Sequence, residues 1–236
     1  MKFRLDQLMV RSGLTSSRSQ AENWIELGKV TVNGRVVIKS GQMVHESADV
    51  QLIATEHYVS RAGLKLASVA ALLGVEFRDK VVLDVGSSTG GFTDYALQHG
   101  ATKVIAVDVG TNQLHSSLRG NERVELHEKT DIRNFRTDEM IDVVVIDVSF
   151  ISLREILPAV AGLAPRALVV AMVKPQFEAG RDQVHKGIIK NDSVRRRIMH
   201  DFEVWAKERF VIIDKRDSEV AGSKGNRERF YLLKAV

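Results

Sequence analysis

Several kinds of protein are excluded by what this chain of 236 residues lacks. It contains no cysteine, so it forms no disulfide, no Cys-ligated zinc site and no thiolate nucleophile. Its longest runs that look buried, residues 143–148 and 167–173, are far shorter than the roughly 20 residues that a membrane-spanning helix needs. No apolar signal core follows the first residues, which does not favour secretion. We therefore expect a cytoplasmic protein without a membrane partner.

The chain carries a small excess of positive charge. Lys and Arg number 34 against 30 Asp and Glu, which gives a formal net charge of +4. The excess is concentrated near the start, because residues 1–40 hold more than twice as many basic as acidic side chains. A local basic surface of this kind permits contact with nucleic acid but does not prove it.

Two different patterns divide the chain. Residues 1–52 predict two short helices and a hairpin that turns at Asn33-Gly34. Residues 53–59 predict a short linker. From residue 60 to residue 236, helices alternate with apolar strands, an order typical of a mostly parallel sheet with helices on both faces. The sequence thus predicts a small α+β domain followed by an α/β domain.

Charged residues end four predicted strands of the α/β domain. Three strands finish at Asp84, Asp108 and Asp147, and a fourth finishes at Lys174. Ligands of open α/β sheets bind beyond the carboxyl ends of the strands. These four side chains therefore mark the predicted ligand-binding edge.

A glycine-rich turn follows the first of these strands. Glycine lets the backbone approach a ligand closely, but the spacing differs from the G-x-G-x-x-G of dinucleotide-binding proteins. A strand followed by Asp-x-Gly-x-x-x-Gly-Gly instead resembles the first motif of S-adenosylmethionine-dependent methyltransferases. The resemblance implies their Rossmann-like fold, with a seven-stranded, mostly parallel sheet. The resemblance implies S-adenosylmethionine as the cofactor, with Asp108 accepting hydrogen bonds from its ribose diol. The turn residues that it assigns to cofactor binding are Asp84, Gly86, Ser87, Ser88, Thr89, Gly90, Gly91 and Phe92.

The segments after the third and fourth strands limit the acceptor of the methyl group. Asp147-Val148-Ser149-Phe150 lacks the Pro-Pro-aromatic sequence that is common among amino-group methyltransferases. Methylation of cytosine at C5 normally needs the cysteine that this chain lacks, so a hydroxyl acceptor remains. Lys174 ends an apolar strand, where a lysine can become a general base. Taken alone, it is better explained as a surface lysine.

A set of four residues resembles a known catalytic tetrad. In order and in sheet position they match the Lys–Asp–Lys–Glu tetrad of the FtsJ-type ribose 2′-O-methyltransferases: Lys65, Asp147, Lys174 and Glu228. Longer segments, of which VKPQFEAG is the most specific, resemble the TlyA family over nearly the whole chain. That family was once labelled haemolysins and is known for 2′-O-methylation of cytidine in ribosomal RNA.

The resemblance implies a role for each member of the tetrad. Lys174 would remove the proton of the ribose hydroxyl or polarise its oxygen, and Asp147 would orient Lys174 and lie near the methyl group. Lys65 and Glu228 would position the ribose. Asp131 falls where related enzymes place an acid near the adenine of the cofactor. No metal is implied, and the implied partners are ribosomal RNA or ribosomal subunits.

The first 52 residues resemble the S4 domain, an RNA-binding module of ribosomal type. The resemblance depends on Arg4-Leu5-Asp6, on Ser17-Arg18 and on the run from Gly28 to Gly34. Basic side chains on such a module can contact RNA phosphates. The residues that the resemblance assigns to RNA contact are Arg4, Ser17, Arg18 and Lys29.

Two other functions remain open at this point. A non-catalytic ribosome-assembly factor would keep both domains, but it would tolerate a broken tetrad or glycine turn, and both are intact here. A membrane-active haemolysin would need an apolar or strongly amphipathic inserting segment, and the sequence shows none.

Overall fold

A computed structural model describes the following residues, apart from the side chains of residues 19 and 23: 1–15, 18–26, 28–53, 58–180, 184, 187–189, 191–220, 222 and 225–236. The chain divides into an N-terminal unit, Met1–Arg61, and a C-terminal unit, Ala62–Val236.

The N-terminal unit contains two helices and five short strands. The helices are α1 (Leu5–Arg11) and α2 (Arg18–Glu26), and the strands are β1 (Lys2–Arg4), β2 (Val30–Val32), β3 (Arg35–Val36), β4 (Met43–His45) and β5 (Val50–Leu52). β1 pairs with β4, and β2 lies between β3 and β5, all antiparallel. The predicted hairpin is confirmed, because Asn33 and Gly34 join β2 to β3 with positive φ angles, as a two-residue turn of this kind requires.

A seven-stranded sheet forms the centre of the C-terminal unit. Its strands are β6 (Val81–Val85), β7 (Lys103–Val107), β8 (Val124–His127), β9 (Val143–Ile146), β10 (Leu168–Val173), β11 (Phe210–Asp217) and β12 (Arg229–Ala235). The order across the sheet is β11-β12-β10-β9-β6-β7-β8. The five strands from β10 to β8 are parallel, and β11 and β12 form an antiparallel pair at one edge. The predicted seven-stranded, mostly parallel sheet is therefore confirmed.

Six helices accompany this sheet. They are α3 (Arg61–Ala70), α4 (Gly91–Gln98), α5 (Ser116–Arg119), α6 (Leu153–Leu163), α7 (Pro175–Glu178) and α8 (Asp192–Ala206). The central strands read as continuous runs of Val, Ile and Ala because layers on both faces bury them. In β9, for example, every residue from Val143 to Ile146 is buried.

Some elements differ from what the sequence predicted. The helix predicted from residue 60 to residue 73 ends at Ala70, where a turn begins. β8 was missed because Glu125 and His127 interrupt its apolar residues, as is usual at a sheet edge. In the described part of the chain, no helix is long and apolar enough to cross a membrane.

Candidate active site

The sheet register gathers the predicted catalytic residues at one edge. Val173, the last residue of β10, pairs with Arg229, the first residue of β12. Lys174 and Glu228, each one residue beyond that pair, therefore occupy neighbouring positions. On the other side of β10, β9 ends at Ile146 opposite Val85 of β6, and Asp147 follows directly. The parallel arrangement thus brings three strand ends to the same place.

Lys174 and Asp147 form the first of two ion pairs. The Lys174 ammonium lies 2.5 Å from Oδ1 of Asp147 and donates a hydrogen bond of 2.8 Å to the Ser149 hydroxyl. Only 9% of Lys174 is exposed. The ammonium is thus held between a carboxylate and a hydroxyl, both of which line a cleft at this edge.

Lys65 and Glu228 form the second ion pair. Lys65 projects from α3, and its ammonium donates a hydrogen bond of 2.5 Å to Oε2 of Glu228. Both residues are buried. The four residues of the predicted tetrad therefore form two lysine–carboxylate pairs, joined through the adjacent positions of Lys174 and Glu228. Their catalytic roles stay a prediction.

The backbone before Glu228 is fixed by buried polar side chains. Asn226 donates to the Gly187 carbonyl and accepts from the Ile189 amide. The Arg195 guanidinium donates to the Arg227 carbonyl and pairs with Asp217. A side chain at Gly222 would collide with the Glu228 carboxylate, 2.8 Å from its Cβ position. The carboxylate is therefore enclosed on several sides.

A cleft of about 440 Å³ lies beside the first ion pair. Five of the residues assigned to cofactor binding line it: Gly86, Ser88, Asp108, Asp131 and Asp147. Its size lies within the range of about 300–1,000 Å³ that is usual for small-molecule sites.

Two backbone amides hold Asp108 in the cleft. Its carboxylate accepts hydrogen bonds of 2.8 Å from the Ser88 amide and 2.6 Å from the Gly110 amide. The Ser88 hydroxyl also donates to Gln113, another lining residue. Asp131 forms a two-point ion pair with Arg133, and the hydrogen bonds from Arg133 lower the pKa of Asp131.

The other residues of the glycine turn do not line the cleft. They are Asp84, Ser87, Thr89, Gly90, Gly91 and Phe92. Phe92 is buried against Phe230, with ring centres 6.0 Å apart. Gly90 has a φ of 93°, and a Cβ there would lie 2.5 Å from Leu118. A side chain at Gly90 would therefore clash with buried Leu118, and the assignment of Gly90 to cofactor binding stays a prediction.

Gly86 packs closely against the backbone of the neighbouring strand end. Its φ is 82°, and a Cβ would lie 2.9 Å from the backbone oxygen of Asp147. A side chain at Gly86 would therefore push apart the ends of β6 and β9, which carry the cleft.

Asp84 lies below the turn and is fully buried. Burial raises its pKa to about 7, although a hydrogen bond of 2.6 Å from the Thr93 hydroxyl opposes the shift and the nearby charge of Asp147 adds to it. This acid therefore supports the turn from inside and is partly protonated near neutral pH.

Sequence reasoning missed several residues around the first ion pair. Ser149 holds Lys174, and Phe150 lines the cleft with 91% of its surface exposed. Phe150 also has a φ of 66°, which is rare for a bulky residue. Glu178 is buried beneath them. The sequence offered one signal for these residues, the aromatic Phe150 directly after Asp147-Val148-Ser149.

In the N-terminal unit, the residues assigned to RNA contact divide into two groups. Arg4 and Arg18 both donate to Asp6, at 2.7 and 2.9 Å, and their side chains are 38% and 52% exposed. Lys29 is exposed, and the described residues place no carboxylate within salt-bridge distance of it. Ser17 lies outside the described residues.

Two families match the chain. Residues 58–235 match the family described as FtsJ-like methyltransferase, and residues 3–50 match the S4 domain. Together the two matches account for both units.

Individual relatives are similar over most of the chain. The sequence is 43% identical to the 23S rRNA (cytidine-2′-O)-methyltransferase TlyA of Campylobacter jejuni, over 75% of this chain and 71% of the relative. It is 36% identical to the 16S/23S rRNA (cytidine-2′-O)-methyltransferase TlyA of Mycobacterium tuberculosis, over 99% and 90%. A solved structure from Streptococcus thermophilus, described as a hemolysin, is 38% identical over 100% of this chain and 89% of that one, with a TM-score of 0.75.

Proposed function

The chain belongs to the family of FtsJ-like methyltransferases, and on that premise we propose that it transfers a methyl group from S-adenosylmethionine to a ribose 2′-hydroxyl in ribosomal RNA. The relatives named for activity on cytidine favour a cytidine ribose as the acceptor. The observation that carries the proposal is the pair of buried lysine–carboxylate contacts at the edge of the cleft.

The cleft fits S-adenosylmethionine. Asp108 and Asp131 offer carboxylate acceptors, and Val85, Ile132 and Val148 supply an apolar wall suited to an adenine ring. Asp108 would accept from the ribose diol, and Gly86 lets the backbone pass close by. The bound molecule supplies a methyl group that its sulfonium has already activated, so the reaction needs no metal.

The residues around Lys174 would prepare the acceptor oxygen. A ribose hydroxyl is a weak acid. Lys174 would take its proton when its amine is uncharged, or as an ammonium it would stabilise the charge that develops on the oxygen. Asp147 and Ser149 hold the ammonium in one place. The Lys65–Glu228 pair, next to Lys174 in the sheet register, would position the ribose. Holding reactants in line is itself worth up to about 7–11 kcal/mol of the barrier in favourable cases.

Two features of the chain suit an RNA substrate. The exposed ring of Phe150 beside the cleft offers a surface on which a base can stack, the usual contact with unpaired nucleotides. In the N-terminal unit, the exposed Lys29 and the half-exposed Arg4 and Arg18 would contact phosphates. Ribosomal RNA as the substrate would place the protein in the cytoplasm.

Mapping of 2′-O-methyl groups tests the proposal in cells. The gene would be expressed in a bacterium whose ribosomal RNA lacks the modification, and a Lys174→Ala gene would serve as the control. We expect one or a few new 2′-O-methylcytidines with the normal gene and none with the control. Assembly defects without any new methyl group would favour the assembly factor, and lysis of red cells by the purified protein would favour the haemolysin.

A further inference from the structure

Two loops beside the cleft are joined by several contacts, of which the proposed function uses only the one between Lys174 and Ser149. The first, residues 147–152, connects β9 to α6, and the second, residues 174–178, follows β10 and forms α7. The Lys174 ammonium donates to Ser149 at 2.8 Å. The rings of Phe150 and Phe177 lie 5.2 Å apart. A third contact involves an acid that has no place in the tetrad, Glu178.

Glu178 is almost completely enclosed. Its side chain is 1% exposed, and Oε2 lies 3.7 Å from Nε of Arg154. The two oxygens accept hydrogen bonds from different donors. Oε2 accepts a hydrogen bond of 2.6 Å from the Ser152 hydroxyl, and Oε1 accepts one of 2.7 Å from the Leu153 amide. A carboxylate from the second loop thus binds the end of the first loop, where α6 begins.

Capping of α6 alone does not account for this acid. The Ser152 hydroxyl already accepts a hydrogen bond from the Arg154 amide, so the helix has an ordinary N-cap without Glu178. Burial of a carboxylate is unfavourable unless its hydrogen bonds compensate. What Glu178 adds is a fixed connection between the two loops.

The first loop needs such support. Phe150 has a φ of 66°, and its ring stays 91% exposed despite its contact with Phe177. Its backbone conformation is therefore unfavourable, and burial of its ring contributes little. Backbone conformations of this kind persist only where surrounding contacts enforce them. The contacts that do so lie on either side of Phe150, at Ser149 and at Ser152.

We propose that Glu178 is a positioning residue, whose buried carboxylate holds the 147–152 loop so that Ser149 and Phe150 keep their places beside Lys174. The inference rests on the proposed function, because it assigns the effect to methyl transfer. Glu178 acts through the loop and does not itself touch the substrate.

The test compares three variants in single-turnover methyl transfer, at saturating S-adenosylmethionine and ribosomal RNA. Glu178→Ala should lower the rate about 10–100-fold, the scale expected when a reacting group is displaced by a fraction of an ångström to one ångström. Because both substrates are saturating, weaker binding cannot account for that loss. Glu178→Gln keeps an acceptor for the Leu153 amide and should recover most of the rate. Glu155→Ala removes an exposed acid from the first turn of the same helix and should match wild type.

A double-mutant cycle separates positioning from a general loss of stability. If Glu178 acts through the loop, Glu178→Ala should cost much less in a Ser149→Ala background than in wild type, because the two changes then disturb one unit. A merely structural role would make the two losses multiply. Wild-type rates in Glu178→Ala, or losses that multiply, would overturn the proposal.

Hydrogen exchange provides a readout that does not depend on the reaction. Glu178→Ala should speed amide exchange in residues 149–153 at least tenfold and leave β9 protected. If Glu178→Ala speeds exchange but the wild-type protein transfers no methyl group, the proposed function and the catalytic part of the inference are refuted. The role of Glu178 in connecting the two loops would still be supported. Unchanged exchange in an active protein would refute the inference alone.

Discussion

Asp6 in the N-terminal unit and Asp84 in the C-terminal unit are both fully buried, but their pKa values shift in opposite directions. Burial alone would raise the pKa of the Asp6 carboxyl, but hydrogen bonds from Arg4, Arg18 and the Gln7 amide outweigh it and lower the pKa to about 2. Burial raises the pKa of Asp84 to about 7, because a single hydroxyl, that of Thr93, is its side-chain donor and the charge of Asp147 lies nearby.

The difference shows how each unit uses charge. In the N-terminal unit, Arg4 and Arg18 neutralise the buried Asp6 and are also partly exposed to solvent. These arginines therefore stabilise the fold whether or not RNA is bound. The C-terminal unit places Asp84, Asp108 and Asp147 at one sheet edge, and among the described residues only Asp147 of these three has a lysine partner. Groups whose pKa values are strongly shifted beside a cleft are typical of functional sites.

The largest expected effect is the loss of methyl transfer in Lys174→Ala. Removal of the group that handles the hydroxyl proton should lower the single-turnover rate about 10²–10⁴-fold, the usual range for general acid–base catalysis. Lys174→Arg should recover little, because a guanidinium keeps its proton and has a different shape. Cofactor and RNA binding, measured separately, should be nearly normal.

Lys80→Ala is the matched control, since Lys80 lies just before β6 at the opposite end of the sheet and is paired weakly with Asp142 at 3.8 Å. Near-normal turnover in Lys174→Ala would refute the assigned role. An arginine variant as active as wild type would mean that the site supplies positive charge and does not remove a proton.

The second effect is a fall in stability of the C-terminal unit as the pH rises. The pKa of Asp84 is higher in the folded state, so the folded state holds an extra proton between about pH 4 and pH 7. The free energy of unfolding should therefore decrease across that range, by on the order of 2–4 kcal/mol. Asp84→Asn should flatten the dependence. Fluorescence of Trp205 in a Trp24→Phe background reports this unit, and an equally steep profile in Asp84→Asn would contradict the assignment.

The third effect has the opposite sign and lies in the N-terminal unit. The pKa of Asp6 is lower in the folded state, so its contribution to stability is present above about pH 4 and is lost as the pH falls toward 2. Asp6→Asn should remove that loss and cost about 1–2 kcal/mol at pH 7, since both arginines are partly exposed. Fluorescence of Trp24 in a Trp205→Phe background measures it. Equal stability of Asp6→Asn and wild type at pH 7 would show that the cluster has no structural role.

The smallest effect separates RNA contact from folding. Lys29→Gln should leave stability unchanged and reduce the slope of log affinity for RNA against log salt by about 0.7–0.9, the value for one lost phosphate contact. Arg18→Gln should reduce the slope and also destabilise the N-terminal unit, because it leaves Asp6 with fewer donors. If Lys29→Gln binds RNA with the salt dependence of wild type, Lys29 does not contact a phosphate.

Sequence reasoning recovers most of what depends on strand ends. Asp147 and Lys174 could be placed together because parallel strands bring their carboxyl ends to one edge. Lys65 lies on a helix and Glu228 precedes an antiparallel strand, so only the family resemblance identified them. The mostly parallel sheet was predicted for the same reason, since long apolar strands alternating with helices have few other arrangements. The number of seven strands came only from the family resemblance.

The remaining features depend on contacts between distant residues. Arg4 and Arg18 both pair with Asp6, which joins the start of α1 to the start of α2. A sequence does not show which of its basic residues form ion pairs within the protein. A side chain at Gly90 would clash with Leu118 of α5. This clash could not be predicted, because the sequence did not indicate α5. Glu178 looked like an ordinary acid after Phe177, because its burial depends on the loop that precedes α6.

Product analysis after reaction of the purified protein decides whether a cytidine ribose accepts the methyl group. Unmodified ribosomal subunits would be incubated with methyl-labelled S-adenosylmethionine and wild-type protein, and the RNA would then be digested to nucleosides and separated. We expect the label to elute with 2′-O-methylcytidine. Label on a base, or no label in RNA from a protein that binds both S-adenosylmethionine and the subunits, would contradict it.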